Sequence, residues 1–335
     1  LVPSRGLGDV YKRQALDGAR ALSILLVILA HTAPLGPNRF GLNGMAALMG
    51  MSLFFCLSGY LIVSMIHRNP DVPSFLIRRI LRIVPSVALY MLILVILFGI
   101  GWQMVVANLL FVSNYWHVGL SKLSAPTSHL WSLCVEMHFY LAIAVLTLIM
   151  GRRSVWLVPP AALVVTLMRA DVGAYSNINT HLRVDEILSG GTLALVSIYY
   201  GTALRAFFER TWRAIVLLAI VIPLWMLSSH DVGGALNYVR PYLAATLVGI
   251  LIHSHVPLLH RVLESGPAAY IARISYALYI YHPLMIFSWM NMGSDWVRYL
   301  VKRPISYAMT LAAAHASTYW WEMRWQEFAR RLTRR

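Results

Sequence analysis

Residues 16–32 read LDGARALSILLVILAHT, and this stretch decides the class of fold. It is nearly all apolar, yet Arg20 stands near one end and His31 near the other. Eleven residues of helix separate the two, roughly 16 Å at about 1.5 Å per residue. A helix entering a bilayer at Arg20 is expected to carry His31 to about the middle of a core roughly 30 Å thick. An imidazole at that depth is costly to keep and marks a functional interior.

The rest of the chain extends this pattern. Its 335 residues are 59% hydrophobic and only 12% charged, with a mean hydropathy of +0.65. Soluble domains usually carry about twice that share of charge. Apolar runs long enough to span recur from end to end, so the expected class is all-α, a polytopic membrane protein of about ten helices. The spans predicted are 16–35, 44–66, 83–101, 129–150, 154–169, 186–204, 213–228, 239–256, 270–290 and 304–322. The stretch 102–128 is half apolar but broken by Asn108, Asn114 and Pro126, and reads as an interfacial or re-entrant segment.

Charge orients the bundle. The chain has 28 Lys and Arg against 13 Asp and Glu. Groups at Arg78–Arg79–Arg82, Arg152–Arg153, Arg205–Arg210–Arg213 and Arg330–Arg331 fall on one side, so both termini are expected in the cytoplasm of an inner-membrane protein. Arg169, Arg183 and Arg240 then belong to outer loops. Nucleic-acid binding is excluded because the sequence offers no soluble basic domain. Cys56 and Cys134 fall inside spans without metal-ligand spacing, so no metal site is expected. Residues 1–14 read as a linker or assembly scar, 15–324 as one membrane domain, and 325–335 as a basic cytoplasmic tail.

Four groups of residues carry chemistry. His31 needs an acid partner, and Glu136 in HLWSLCVEMHFYL reads as the one carboxylate at a similar depth, seven residues in from His129. His138 stands beside it in sequence. In FLIRRILRIVP, Arg78 and Arg82 share a helical face with Arg79 beside them, a fork for phosphate groups or a topological anchor. In FFCLSGYLI, Ser58–Gly59 reads as a helix-packing point with a hydroxyl. In ISYALYIYHPL, Pro283 is expected to kink the helix and free carbonyls, with Tyr276 and His282 lining an interior cavity.

Taken in order, LDGARALSILLVILAH, FFCLSGYLI, FLIRRILRIVP, HLWSLCVEMHFY and ISYALYIYHPL resemble the acyltransferase-3 family of integral membrane acyltransferases. The resemblance covers residues 16–322 and is weakest over 154–256. It implies transfer of an acyl group, expected to be acetyl, from cytoplasmic acyl-CoA to a hydroxyl of a sugar or lipid-linked glycan of the cell envelope. No cofactor is then held tightly, since acyl-CoA is a substrate. By position, the resemblance makes His31 the catalytic base or acyl-handling residue, supported by Arg20 and partnered by Glu136. It turns Arg78, Arg79 and Arg82 toward the donor's phosphates. Met137 departs from the pattern, where the family often has a second polar or acidic residue. The alternative is a transporter with an intramembrane His/Glu proton relay, against which no inverted repeat is found.

Overall fold

The computed structural model describes residues 7–116, 125–287 and 292–333. All regular structure among the described residues is helical, as the composition requires. Thirteen α-helices are described: α1 (Leu7–Thr32), α2 (Leu42–Arg68), α3 (Val72–Phe98), α4 (Trp102–Leu109), α5 (Trp131–Met150), α6 (Val158–Asp171), α7 (Asp185–Phe208), α8 (Thr211–Ser228), α9 (Arg240–His253), α10 (Pro257–Leu263), α11 (Gly266–Phe287), α12 (Arg303–Ala316) and α13 (Met323–Leu332).

Six helical runs are long and apolar enough to cross a membrane, or seven if Asp231–Tyr238 and α9, bent by 74°, form one span. Their outward side chains, among them Leu97, Leu148 and Ile149, are exposed, as a lipid solvent demands. The run Pro126–Asp171 is 46 residues long. At about 1.5 Å per residue it exceeds a 30 Å core twofold. Gly151, with φ 59°, breaks it between the expected spans 129–150 and 154–169. The expected span 270–290 runs into residues outside the described set, and α12 is only 14 residues long.

The chain divides into two compact units. The first comprises Leu1–Arg68, Val155–Tyr175 and Val184–Arg273. Its helices α1, α2 and α7 pack backbone to backbone. A Cβ on Gly59 would overlap the Ile187 carbonyl oxygen, and one on Gly190 would overlap that of Cys56. Lipid tails are as apolar as leucine, so such close approach by small residues drives helix association in a membrane. Gly59 thus confirms the packing point read at Ser58–Gly59. Leu53, Leu57, Leu193, Trp225 and Val248 fill the core around it.

The second unit comprises Asn69–Ser154, Ser176–Arg183 and Ile274–Arg335. Asp71 caps α3 by accepting from the Ser74 amide at 3.2 Å, with Pro73 in the first turn. Side-chain bonds fasten α3 to its neighbours. The Tyr90 hydroxyl donates to Pro126 O, Tyr276 to Ile83 O at 3.1 Å, and Trp321 Nε1 to Pro85 O at 3.1 Å. The expected basic tail is helical through Leu332 as α13, which packs on α3.

Candidate active site

In the first unit, α1 holds His31 in its last turn, one residue before the helix ends at Thr32. This corrects the mid-span placement. The helix begins at Leu7, well before Arg20, and Pro34 and Pro37 follow His31 closely, so it lies at the end of the 19-residue apolar run Gln14–Thr32. The His31 Nδ1–H donates to Val27 O at 2.7 Å, which in the neutral ring leaves the basic lone pair on Nε2. The side chain is exposed. Asn43 Nδ2 donates to Ala30 O and Ala33 O at 2.7 and 2.6 Å, so the start of α2 satisfies carbonyls at the end of α1. Arg20 pairs with Asp17 one turn away at 3.3 Å.

In the second unit, the three arginines of α3 meet three different environments. Arg78 Nε donates to Thr333 Oγ1 at 2.9 Å, just past α13. Arg79 lies over the Tyr140 ring, 5.5 Å from its centroid, within electrostatic reach of Glu136. Glu136 is buried and accepts from the Tyr140 hydroxyl one helical turn on. Arg82 is within electrostatic reach of Glu322 and of Tyr276.

His138 points away from Glu136, as two residues apart on a helix must. Its Nδ1 bonds Thr180 Oγ1 at 2.7 Å, and Asn114 donates to the same hydroxyl at 3.0 Å. His282 is buried, and its Nδ1–H donates to Tyr279 O at 2.7 Å. The reason is local: Pro283 has no N–H to give that carbonyl, so the imidazole supplies one. The expected freed carbonyl exists, while α11 continues through the proline to Phe287. The His282 ring centroid lies 5.3 Å from that of buried His129. The Tyr279 hydroxyl bonds Ser132 Oγ and donates to His129 O, tying the segment around Trp131 to α11.

Glu136 is not the only acid at depth. Asp185 and Glu186, in the first turn of α7, are fully buried. Arg169 pairs with Asp185, and Arg240 Nε with Glu186 Oε1 at 2.9 Å. Both guanidiniums also donate to Tyr175 O, each at 3.0 Å. Arg169, Arg183 and Arg240, expected in outer loops, are buried. The sequence signal was there in RVDE (183–186), two acids opening an apolar helix, where the N-terminal dipole favours them. A further pair, Ser197 Oγ and His253 Nε2 at 2.9 Å, joins α7 to α9. Among the described residues, no cluster of His, Cys, Asp and Glu could hold a metal ion.

The acyltransferase-domain model of the acyltransferase-3 family matches residues 13–319. The O-acetyltransferase OatA of Staphylococcus aureus strain NCTC 8325 is 26% identical over 316 residues, 81% of this chain and 50% of that protein. A putative O-acetyltransferase of strain COL is 31% identical over 150 residues, 38% of this chain and 23% of that protein. The chain thus spans about half the length, or less, of these curated relatives. No solved structure matches it significantly.

Proposed function

The chain belongs to the acyltransferase-3 family, and from that premise we propose that it moves an acetyl group from cytoplasmic acetyl-CoA to a hydroxyl of an envelope carbohydrate. The observation that carries the reading is the family match over residues 13–319, together with relatives named O-acetyltransferases. The protein is an acyltransferase of the membrane, and the transporter reading has nothing further to support it. The proposal includes ten spans with both termini in the cytoplasm and a place in the inner membrane.

In this mechanism His31 Nε2 accepts the proton of the acceptor hydroxyl as that oxygen attacks the thioester carbonyl carbon. The C–S bond breaks, and the departing CoA sulfur takes the proton from the imidazolium. The hydrogen bond from Nδ1–H to Val27 O supports this assignment, because it fixes the tautomer that a base needs. Within the first unit Arg20 supports His31 from the same helix, and within the second Glu136 is the proposed proton-handling carboxylate. Arg78, Arg79 and Arg82 receive the donor's phosphates, as cations at one end of α3 are suited to do. Tyr276, His282 and His138 are the proposed cavity-lining residues of the second unit, and Ser58 that of the first. Holding donor, acceptor and imidazole in register lowers the barrier by making the step effectively unimolecular.

The test is His31→Ala in the full chain reconstituted in lipid nanodiscs, with acetyl-CoA and envelope glycan extracted from cells lacking the protein. Acetyl ester formation, read by mass spectrometry, is expected to disappear while the protein stays folded and inserted. Retained activity would overturn the assignment.

A further inference from the structure

The two prolines after His31 each withhold a backbone donor that the end of α1 needs. In an α-helix the carbonyl of one residue accepts from the N–H four residues on. Ala30 O would therefore look to position 34 and Ala33 O to position 37, and proline stands at both. Proline has no N–H to give, and carbonyls at a helix end must then be met by other groups. Asn43, the second residue of α2, meets both. Its Nδ2 donates to Ala30 O at 2.7 Å and to Ala33 O at 2.6 Å. Its Oδ1 accepts from the Leu35 amide at 3.2 Å. Both donors of the side-chain amide and its acceptor are thus placed on the stretch 30–35.

His31 lies inside that stretch, and all of these residues belong to the first unit. The ring depends on the same turn, because its Nδ1–H reaches Val27 O, one turn back, only while residues 27–31 stay helical. The neighbouring bonds are local to the end of α1: Thr32 Oγ1 donates to Ile28 O at 2.7 Å, and the Ala33 amide to Leu29 O at 2.9 Å. Among these groups, Asn43 is the one that comes from another helix. Helix ends fray. A hold from outside α1 is what keeps this one closed.

We infer that Asn43 is the positioning residue for His31, clamping the last turn of α1 so that the ring keeps its direction and its tautomer. The inference rests on the reading of His31 as the base and names what holds it in place. Released from Asn43, the turn frays and the bond from Nδ1–H to Val27 O is lost. The proton of the neutral ring is then distributed over both nitrogens, so less of the imidazole presents a lone pair at Nε2. Donor binding is not affected, because the arginines proposed to receive the donor's phosphates lie on α3 of the second unit.

The experiment measures rates of acetyl transfer in nanodiscs over a range of acetyl-CoA, and nitrogen NMR of the full chain labelled in its histidine rings. Asn43→Ala is expected to lower the maximal rate about tenfold, the scale of one or two net hydrogen bonds. KM for acetyl-CoA should stay unchanged. In alkaline buffer, where imidazoles are neutral, the His31 signals are assigned by their loss in His31→Ala. They should move in Asn43→Ala from the Nδ1–H tautomer toward an average of two. Asn43→Asp keeps the shape and the acceptor but neither donor, and should behave as Asn43→Ala does; if Ala fails to insert, Asp carries both measurements. An unchanged maximal rate, a raised KM with no fall in rate, or unmoved His31 signals would overturn the inference. Retained activity in His31→Ala would instead overturn the reading on which it stands, and the ring signals would still report the clamp.

Discussion

Replacing Arg240 with Met should be among the most damaging single changes in the first unit. Arg240 and Glu186 are both fully buried, with Nε 2.9 Å from Oε1. At an effective dielectric of about 20, their attraction at that separation is roughly 6 kcal/mol, most of it offset by desolvation of the two charges. What the substitution removes is larger than the net worth of the pair, because the Glu186 carboxylate stays buried after its Arg240 partner is gone. It also removes the bonds to Tyr175 O at 3.0 Å and Ser228 O at 3.3 Å. The expected loss is about 3–5 kcal/mol, or roughly 6–20 °C in Tm at 2–4 °C per kcal/mol. Arg240→Met with Glu186→Leu removes both charges and should recover most of that loss. Thermal unfolding in a mild detergent, followed by tryptophan fluorescence, reads both variants. A single variant within about 1 kcal/mol of wild type, or a double variant no better than the single, would refute the reasoning.

Two further outcomes follow from local geometry. Gly59→Ala and Gly190→Ala should each destabilise by about 1–3 kcal/mol or more, since a methyl would meet a carbonyl oxygen of the facing helix; Gly44→Ala, with nothing within 4 Å, should be neutral or stabilising by up to about 1 kcal/mol in the same unfolding assay. In the loop after α6, the Tyr175 hydroxyl donates to Asp231 Oδ1 at 2.6 Å, and that bond holds its pKa above the usual tyrosine value. A raised acid favours the folded state while protonated, so this contribution is present below about pH 10 and is lost as pH climbs through the folded value. Asp231→Asn should lower the Tyr175 transition in an ultraviolet difference titration against Tyr175→Phe; no change would remove Asp231 as the cause.

The helical membrane class was legible because a bilayer forces long apolar runs, and these survive any uncertainty in packing. Motif residues were legible as chemistry but not as partnerships. His138 and Glu136 are two apart in sequence, yet the helix turns His138 to Thr180 and Glu136 to Tyr140. Arg169 and Arg240 looked like outer-loop charges because each lies at a helix end, and only tertiary packing shows that those ends are interior. Glu322 was hidden for the same reason, sitting at the edge of the expected span 304–322 while packing buries it. The end of α1 at Thr32 was readable from Pro34 and Pro37, which stop a helix whatever surrounds it.

The grip of Trp321 on the Pro85 carbonyl spans 236 residues of chain. At a synthesis rate of 5–20 residues per second, α3 waits roughly 12–47 s for that clasp to be made. Throughout the interval Arg78 also waits for Thr333, the hydroxyl to which its Nε donates. Biogenesis of the second unit is therefore a late event.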